Sequence, residues 1–262
     1  MQNNVSVLGA GHMGGAVVQG WLVAGQYTPQ QVYISGGSSG RAQQLANKLG
    51  CQYCTSNIEA AKASNILILS VPAVKAAEVL REIQPALTPQ HLIISLTASF
   101  TVADALAILG QDAHYVRALP NIPVEVCQGM TVAHFAPAVT EDDKNTVQLL
   151  FTCLGRYEEM PENLLGISNV ISGCTPALVA LFAEALADAG VYYGLPRAQA
   201  YTLSQQGILG AMQILLQKNQ LPTQLKDAVS SPGGLTIRGV AKLEEHGLRG
   251  AVIDSIRAIQ EK

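Results

Sequence analysis

A short strand-like segment that runs straight into a glycine-rich turn constrains this chain more than any other feature. Val5-Ser6-Val7-Leu8 is followed at once by Gly9-Ala10-Gly11-His12-Met13-Gly14. Met13, Val17 and Trp21, with Val18 and Leu22, then recur at helical spacing. Strand, turn and helix in that order give each glycine a task. The first makes the tight turn, the second lets a pyrophosphate approach the backbone, and the third lets helix and strand pack closely. Free N–H groups and the positive end of the helix dipole then bind phosphate. Gly9, Gly11 and Gly14 are therefore candidate dinucleotide-binding residues, and His12, next to the turn, is expected to face the nucleotide.

The segments that follow repeat the alternation. Val32-Tyr33-Ile34, Ile66-Leu67-Ile68-Leu69, Leu92-Ile93-Ile94 and Tyr115-Val116 read as strands with helical patterns between them. Continuous apolar runs suit parallel strands covered on both faces. Thr101 and Thr140, each three residues before an Asp, carry a helix-opening signal. The pattern changes near Met160-Pro161, after which Ala, Leu, Gln and Glu dominate and strand signal fades. Breaks are expected at Gly190, Gly194-Leu195-Pro196, Leu221-Pro222 and Pro232-Gly233-Gly234. The expected fold class is α/β: a Rossmann-type doubly wound parallel sheet over residues 1–161, then an all-α dimerisation domain over 162–262. Helices apolar on more than one side need a partner, so a homodimer is expected.

Composition narrows the function classes. A formal charge of −3 and only 13% charged residues leave no electrostatic footprint for nucleic acid or an anionic membrane surface. The most apolar helical stretch, Pro176–Gly190, carries Glu184 and Asp188 and reads as a core helix rather than a bilayer span. The first residues, Met-Gln-Asn-Asn-Val, carry no targeting pattern. Five scattered cysteines read as free thiols of a cytoplasmic protein. Cys51 and Cys54 form a C-x-x-C without a second pair or a nearby His, and are expected to be buried strand residues. The histidines lack metal-ligand spacing, so no metal is expected.

Nucleotide choice is read at the end of the second strand. An NAD site usually places a carboxylate there for the ribose 2′-hydroxyl. This chain has Ser35-Gly36-Gly37-Ser38-Ser39-Gly40-Arg41 instead. Serine hydroxyls and Arg41 suit a 2′-phosphate, so NADPH is expected as the preferred cofactor, with NADH tolerated. Ser70-Val71-Pro72-Ala73 and Ser95-Leu96-Thr97-Ala98-Ser99 follow strands and are candidates to flank the ribose and nicotinamide.

Two breaks in the helical half draw notice: Ser172-Gly173-Cys174-Thr175-Pro176-Ala177, expected between helices, and Ser230-Ser231-Pro232-Gly233-Gly234-Leu235-Thr236. The second can hold a carboxylate on backbone N–H groups around Gly233 and Gly234, with Ser231 and Thr236 as further donors. The whole chain resembles the pyrroline-5-carboxylate reductases. The segments carrying the resemblance are the glycine motif, Arg117-Ala118-Leu119-Pro120-Asn121-Ile122-Pro123, Glu184-Ala185-Leu186-Ala187-Asp188-Ala189-Gly190-Val191, and Pro222 to Glu244 with Ser231-Pro232-Gly233-Gly234. The resemblance implies NADPH-dependent reduction of a cyclic imine carboxylate to L-proline by dimers that also assemble into decamers. It places Ala10, His12 and Met13 at the pyrophosphate, Ser35 and Asn57 near the adenine ribose and its phosphate, and Val71, Pro72 and Ala98 near the nicotinamide. Leu235 and Thr236 would meet substrate, with Thr236 hydrogen-bonding the imine nitrogen.

The chain departs from that pattern at four places. Pro72 stands where Lys is usual, Cys174-Thr175 where Ser-Gly is usual, Ser99 where Gly is usual, and Leu235 where Thr is common. Two alternatives therefore stay open: a paralogue reducing another cyclic imine, and a non-catalytic NADP-binding protein. A 3-hydroxyacid-type dehydrogenase, which shares the two-domain plan, would need a Lys that Ser172–Gly190 lacks.

Overall fold

The structure, a computed structural model, describes residues 4–261. They form two compact units, one running to Gly173 and one starting at Cys174.

The first unit is built on one sheet of β1 (Val5–Leu8), β2 (Val32–Ser35), β3 (Gln52–Tyr53), β4 (Ile66–Leu69), β5 (Leu92–Ser95), β6 (His114–Pro120), β7 (Gly129–Phe135) and β8 (Gly155–Glu159). Their spatial order is β3-β2-β1-β4-β5-β6-β7-β8. The strands from β1 to β6 pair in parallel. β7 runs antiparallel to β6, and β8 is parallel to β7, so the sheet is parallel except at this one junction. Helices α1 (His12–Val23), α2 (Arg41–Leu49), α3 (Asn57–Ala63), α4 (Ala73–Ile83), α5 (Val102–Leu109) and α6 (Glu141–Thr152) connect the strands. Leu67, Ile68 and Leu69 of β4 are fully buried, as continuous apolar runs require. Thr101 and Thr140 cap α5 and α6, each accepting from an Asp N–H while that Asp accepts from the Thr N–H. The strand order reverses between β1 and β4, which opens a crevice at their carboxyl ends.

Cys51 and Cys54 do not lie in a strand, contrary to expectation. They flank the two-residue β3, with Cys54 buried and Cys51 half-buried. Burial pushes both thiols up to about 11, so neither is a ready thiolate.

A larger correction concerns α7 (Glu162–Tyr192). It is one helix of 31 residues, and Ser172 to Pro176 lie inside it. Pro176 has no N–H to give to the carbonyl of Ser172, four residues back. The side chain of Asn121 makes up the loss: its Nδ2 donates to Ser172 O at 3.0 Å. The same side chain accepts from Met130 N at 2.8 Å, so the buried amide is held at both ends. Gly190 is also helical rather than a break. A Cβ there would lie 3.1 Å from Leu195 Cδ1 and 3.3 Å from Ala200 Cβ, so glycine lets the following chain fold back closely.

The second unit holds the rest of α7 with α8 (Arg197–Gln217), α9 (Pro222–Ala228), α10 (Leu235–Glu245) and α11 (Leu248–Gln260). It has no strand among the described residues. Its helices leave much apolar surface uncovered: Leu181 is 66% exposed and Leu203 61%. A groove between α7 and α8 is lined by Pro176, Ala180, Glu184, Tyr201, Ile208 and Met212. By length and composition α7 could cross a bilayer, with a best window of mean hydropathy 1.8.

Candidate active site

The glycine turn is locked in place by its neighbours. Gly9 sits at φ +111°, and a Cβ there would lie 2.3 Å from Ser70 O, so only glycine fits. Its N–H donates to Ser35 O at 2.9 Å, which ties the turn to the end of β2. A Cβ on Gly14 would meet Gly9 O and Ser70 Oγ, each at 2.8 Å. Gly11 differs, because a Cβ there would meet nothing within 4 Å. Gly11 is the extended N-cap of α1 and provides no side-chain cap. The first turn of α1 contains no acidic residue. Its leading N–H groups, from His12 and Met13 onward, are thus left for a ligand. His12 is exposed, and Ala10 and Met13 are half-buried.

At the end of β2, Ser35 is fully buried and its hydroxyl donates to Asn57 Oδ1 at 2.8 Å. Asn57 Nδ2 in turn donates to Glu82 Oε2 at 2.7 Å. Ser35 thus orients Asn57, the half-buried first residue of α3. Arg41 opens α2 and is exposed. Pro72 is the exposed N-cap of α4, next to half-buried Ser70 and Val71.

The segment after β5 is pinned from several sides. Thr97 Oγ1 donates to Val71 O at 3.0 Å, which joins the two loops that follow β4 and β5. Thr97 N donates to the buried Ser95 Oγ at 3.2 Å. Ala98 is exposed, and its carbonyl accepts from Arg117 Nη2. Arg117 Nη1 also reaches Glu162 Oε1 at 2.8 Å. The motif Arg117–Pro123 was visible in the sequence, but nothing there paired Arg117 with Glu162. A lone Arg inside the apolar run Tyr115-Val116-Arg117-Ala118-Leu119 was the available signal, because a buried cation needs a partner.

The turn before α10 belongs to the second unit. Gly233 has φ +69°, and Gly234 N donates to Ser231 O at 3.0 Å. A Cβ on Gly234 would lie 2.3 Å from Ser231 Oγ, so the turn closes tightly on Ser231. Gly234 is the N-cap of α10, with no side-chain cap and no acid in the first turn. Leu235 is 85% exposed, and Thr236, the second residue of α10, is exposed as well. The structure therefore places Ser231, Gly233, Gly234, Leu235 and Thr236 on one open helix start with anion-binding polarity.

These features fit a dinucleotide in the first unit. The turn is open where a pyrophosphate must approach, no acid in the first turn of α1 opposes phosphate, and no carboxylate stands at Ser35–Arg41. Among the described residues no group of three or more His, Cys, Asp or Glu could hold a metal.

Comparison with known proteins covers both halves. Residues 4–99 match the family described as NADP oxidoreductase coenzyme F420-dependent, and residues 162–262 match pyrroline-5-carboxylate reductase dimerisation. The pyrroline-5-carboxylate reductase of Escherichia coli (strain K12) is 36% identical over 262 residues, covering 100% of this chain and 97% of that protein. The Treponema pallidum reductase of the same name is 36% identical, covering 97% and 98%. The solved pyrroline carboxylate reductase of Plasmodium falciparum, with NADP bound, superposes at a TM-score of 0.87 with 30% identity, covering 98% of this chain and 95% of that one. With sequence identity spread over the full length of both partners, and the helical half matched separately, the chain belongs to the pyrroline-5-carboxylate reductase family.

Proposed function

We propose that this chain is an NADPH-dependent oxidoreductase that reduces 1-pyrroline-5-carboxylate to L-proline, the last step of proline biosynthesis. The observation that carries the reading is the glycine turn locked against Ser70 and left uncapped, in a chain related over its full length to enzymes named for this reaction. When bound, the reduced nicotinamide supplies the hydride. Gly9 and Gly14 shape the turn on which Ala10, Gly11, His12 and Met13 hold the pyrophosphate, and Ser35, Asn57 and Arg41 serve the adenosine end. Ser70, Val71, Pro72 and Ala98 line the nicotinamide end.

Few side chains are required for the chemistry. An imine carbon accepts hydride readily once its nitrogen is protonated, so the protein contributes mainly orientation. The N–H groups around Gly233 and at the open start of α10 hold the substrate carboxylate beside Ser231, while the Gly234 N–H closes the turn on Ser231 O. Thr236 orients the ring through a hydrogen bond with the imine nitrogen, and Leu235 gives the ring an apolar neighbour. A hydroxyl is too weak an acid to protonate the nitrogen, which arrives protonated or takes its proton from water.

The protein works as a homodimer that builds further into decamers in the cytoplasm. A second copy covers the exposed apolar faces of α7 and α8, which accounts for a bilayer-length helix in a chain of this kind. The five free cysteines suit a reducing compartment.

A substrate panel tests the reading. NADPH and NADH oxidation is followed with pyrroline-5-carboxylate and with piperideine carboxylates, and NADP reduction with 3-hydroxy acids. Turnover with the five-membered imine, faster with NADPH, is expected. Turnover only with a six-membered imine would indicate a paralogue, and no turnover with any substrate would leave a nucleotide-binding protein.

A further inference from the structure

We propose that the ion pair between buried Arg117 and half-buried Glu162 is a positioning device that sets the loop carrying Ala98, and through it the nicotinamide end of the cofactor site. The inference deepens the reading of the chain as an NADPH-dependent reductase and rests on it. Arg117 lies in β6 directly opposite Ser95, the last residue of β5, so its side chain stands beneath the loop that leaves β5. The residue is 5% exposed. One arm of its guanidinium supports the carbonyl of Ala98, and the other meets Glu162 Oε1. That same carboxylate oxygen accepts from Val102 N, the first residue of α5, at 2.8 Å. A single ion pair therefore grips both the middle of the loop and its far end.

The near end is held differently. Thr97 is bonded to Ser95 below and to Val71 O in the neighbouring loop after β4. A shift of Ala98 would therefore pass through Thr97 to the loop after β4. Exposed Ala98 touches the pair only through its backbone, which makes Arg117 and Glu162 positioning residues rather than catalytic ones. An ion pair that only stapled α7 to the sheet would not need the Ala98 carbonyl. Nor is the site optimised for packing. Arg117 Nε is buried without a hydrogen-bond partner among the described residues. A polar cluster held at that cost favours a geometric task over a stabilising one.

The test compares Glu162→Ala with Glu162→Gln, which keeps an oxygen acceptor and the side-chain shape but drops the charge. Glu141→Gln, in the exposed Lys144–Glu141 pair, is the control. Five quantities are read: kcat, the primary isotope effect with NADPH deuterated at the transferred position, the emission of bound NADPH, the dissociation constant of adenosine 2′,5′-bisphosphate, and Tm. Glu162→Ala should lower kcat by about 10–100-fold, as displacement of reacting groups by an ångström does. The isotope effect should rise and the bound emission change, while the dissociation constant of adenosine 2′,5′-bisphosphate stays as in the unaltered protein. Glu162→Gln should recover most of the rate. Loss of thermal stability with unchanged kcat, isotope effect and emission would overturn the proposal. Where Glu162→Ala fails to fold, Arg117→Lys replaces it, because an ammonium keeps the charge but lacks the fork that reaches both Glu162 and the Ala98 carbonyl; an unaltered isotope effect and emission in that variant would overturn the proposal too. If the unaltered protein binds NADPH but reduces no imine, the functional reading fails, and positioning is then decided by bound emission alone. Failure to bind NADPH would overturn both.

Discussion

Replacing Asn121 by Ala tests whether the long helix α7 depends on a side chain from another element. Asn121 donates to Ser172 O at 3.0 Å and accepts from Met130 N at 2.8 Å. The substitution removes both bonds, at about 1 kcal/mol each, and so costs about 2 kcal/mol, with more if no water replaces them. For a chain of this size that is a fall of about 4–8 °C in Tm. The informative arm adds Pro176→Ala. Alanine at 176 restores an N–H that can reach Ser172 O, so the cost of Asn121→Ala should shrink by about 1 kcal/mol in that background. Calorimetry of the four proteins at one fixed concentration measures this, since assembly makes Tm depend on concentration. Strict additivity, with Asn121→Ala equally costly whether residue 176 is Pro or Ala, would refute the idea that Asn121 replaces the missing N–H.

Three further outcomes are expected. Thr236→Ala lowers kcat by about 10–100-fold, the range of a lost polar contact to the transition state; circular dichroism should be unchanged, and unaltered kcat would remove Thr236 from the mechanism. Arg41→Ala raises the Michaelis constant for NADPH far more than that for NADH, and equal effects would show that Arg41 does not meet a 2′-phosphate. The Glu162 carboxyl is pushed up by burial, but Val102 N–H and Arg117 outweigh this and leave it below the usual carboxylate range. Its contribution to stability is therefore fully present above the ordinary carboxylate value and disappears as pH falls through the depressed one. The Tm difference between the unaltered protein and Glu162→Gln should close over that acid window, and a difference constant with pH would contradict the assignment.

The central sheet was legible because β1, β2, β4 and β5 are short, largely apolar and bounded by turn residues, so period and punctuation agreed. The caps at Thr101 and Thr140 were legible for a similar reason, since both partners lie three residues apart. β3 was legible only as a strand expected to hold Cys51 and Cys54; its own residues, Gln52 and Tyr53, are exposed and too few to show a period. The charged edge strand β8, Gly-Arg-Tyr-Glu-Glu, reads as polar loop, as protected sheet edges do. Local rules put a helix boundary at Ser172–Pro176 and another at Gly190; the groups that let one helix run through both, Asn121 and the close approach of Leu195 and Ala200, come from tertiary structure. Within the site, the glycine turn announced itself through spacing. The Arg117–Glu162 pair did not, because its partners stand 45 positions apart.

The wedge of Gly9 and Gly14 against Ser70 divides the nucleotide site into a fixed part and an adaptable one. Neither Gly9 nor Gly14 admits an added Cβ without a shift of the turn or of the neighbouring loop at Ser70. The stretch Gly37-Ser38-Ser39, by contrast, lies in the open, and a Cβ at Gly37 meets nothing within 4 Å. Evolution or an engineer wishing to exchange one nicotinamide carrier for the other has room to rewrite those few exposed letters while the phosphate grip stays untouched.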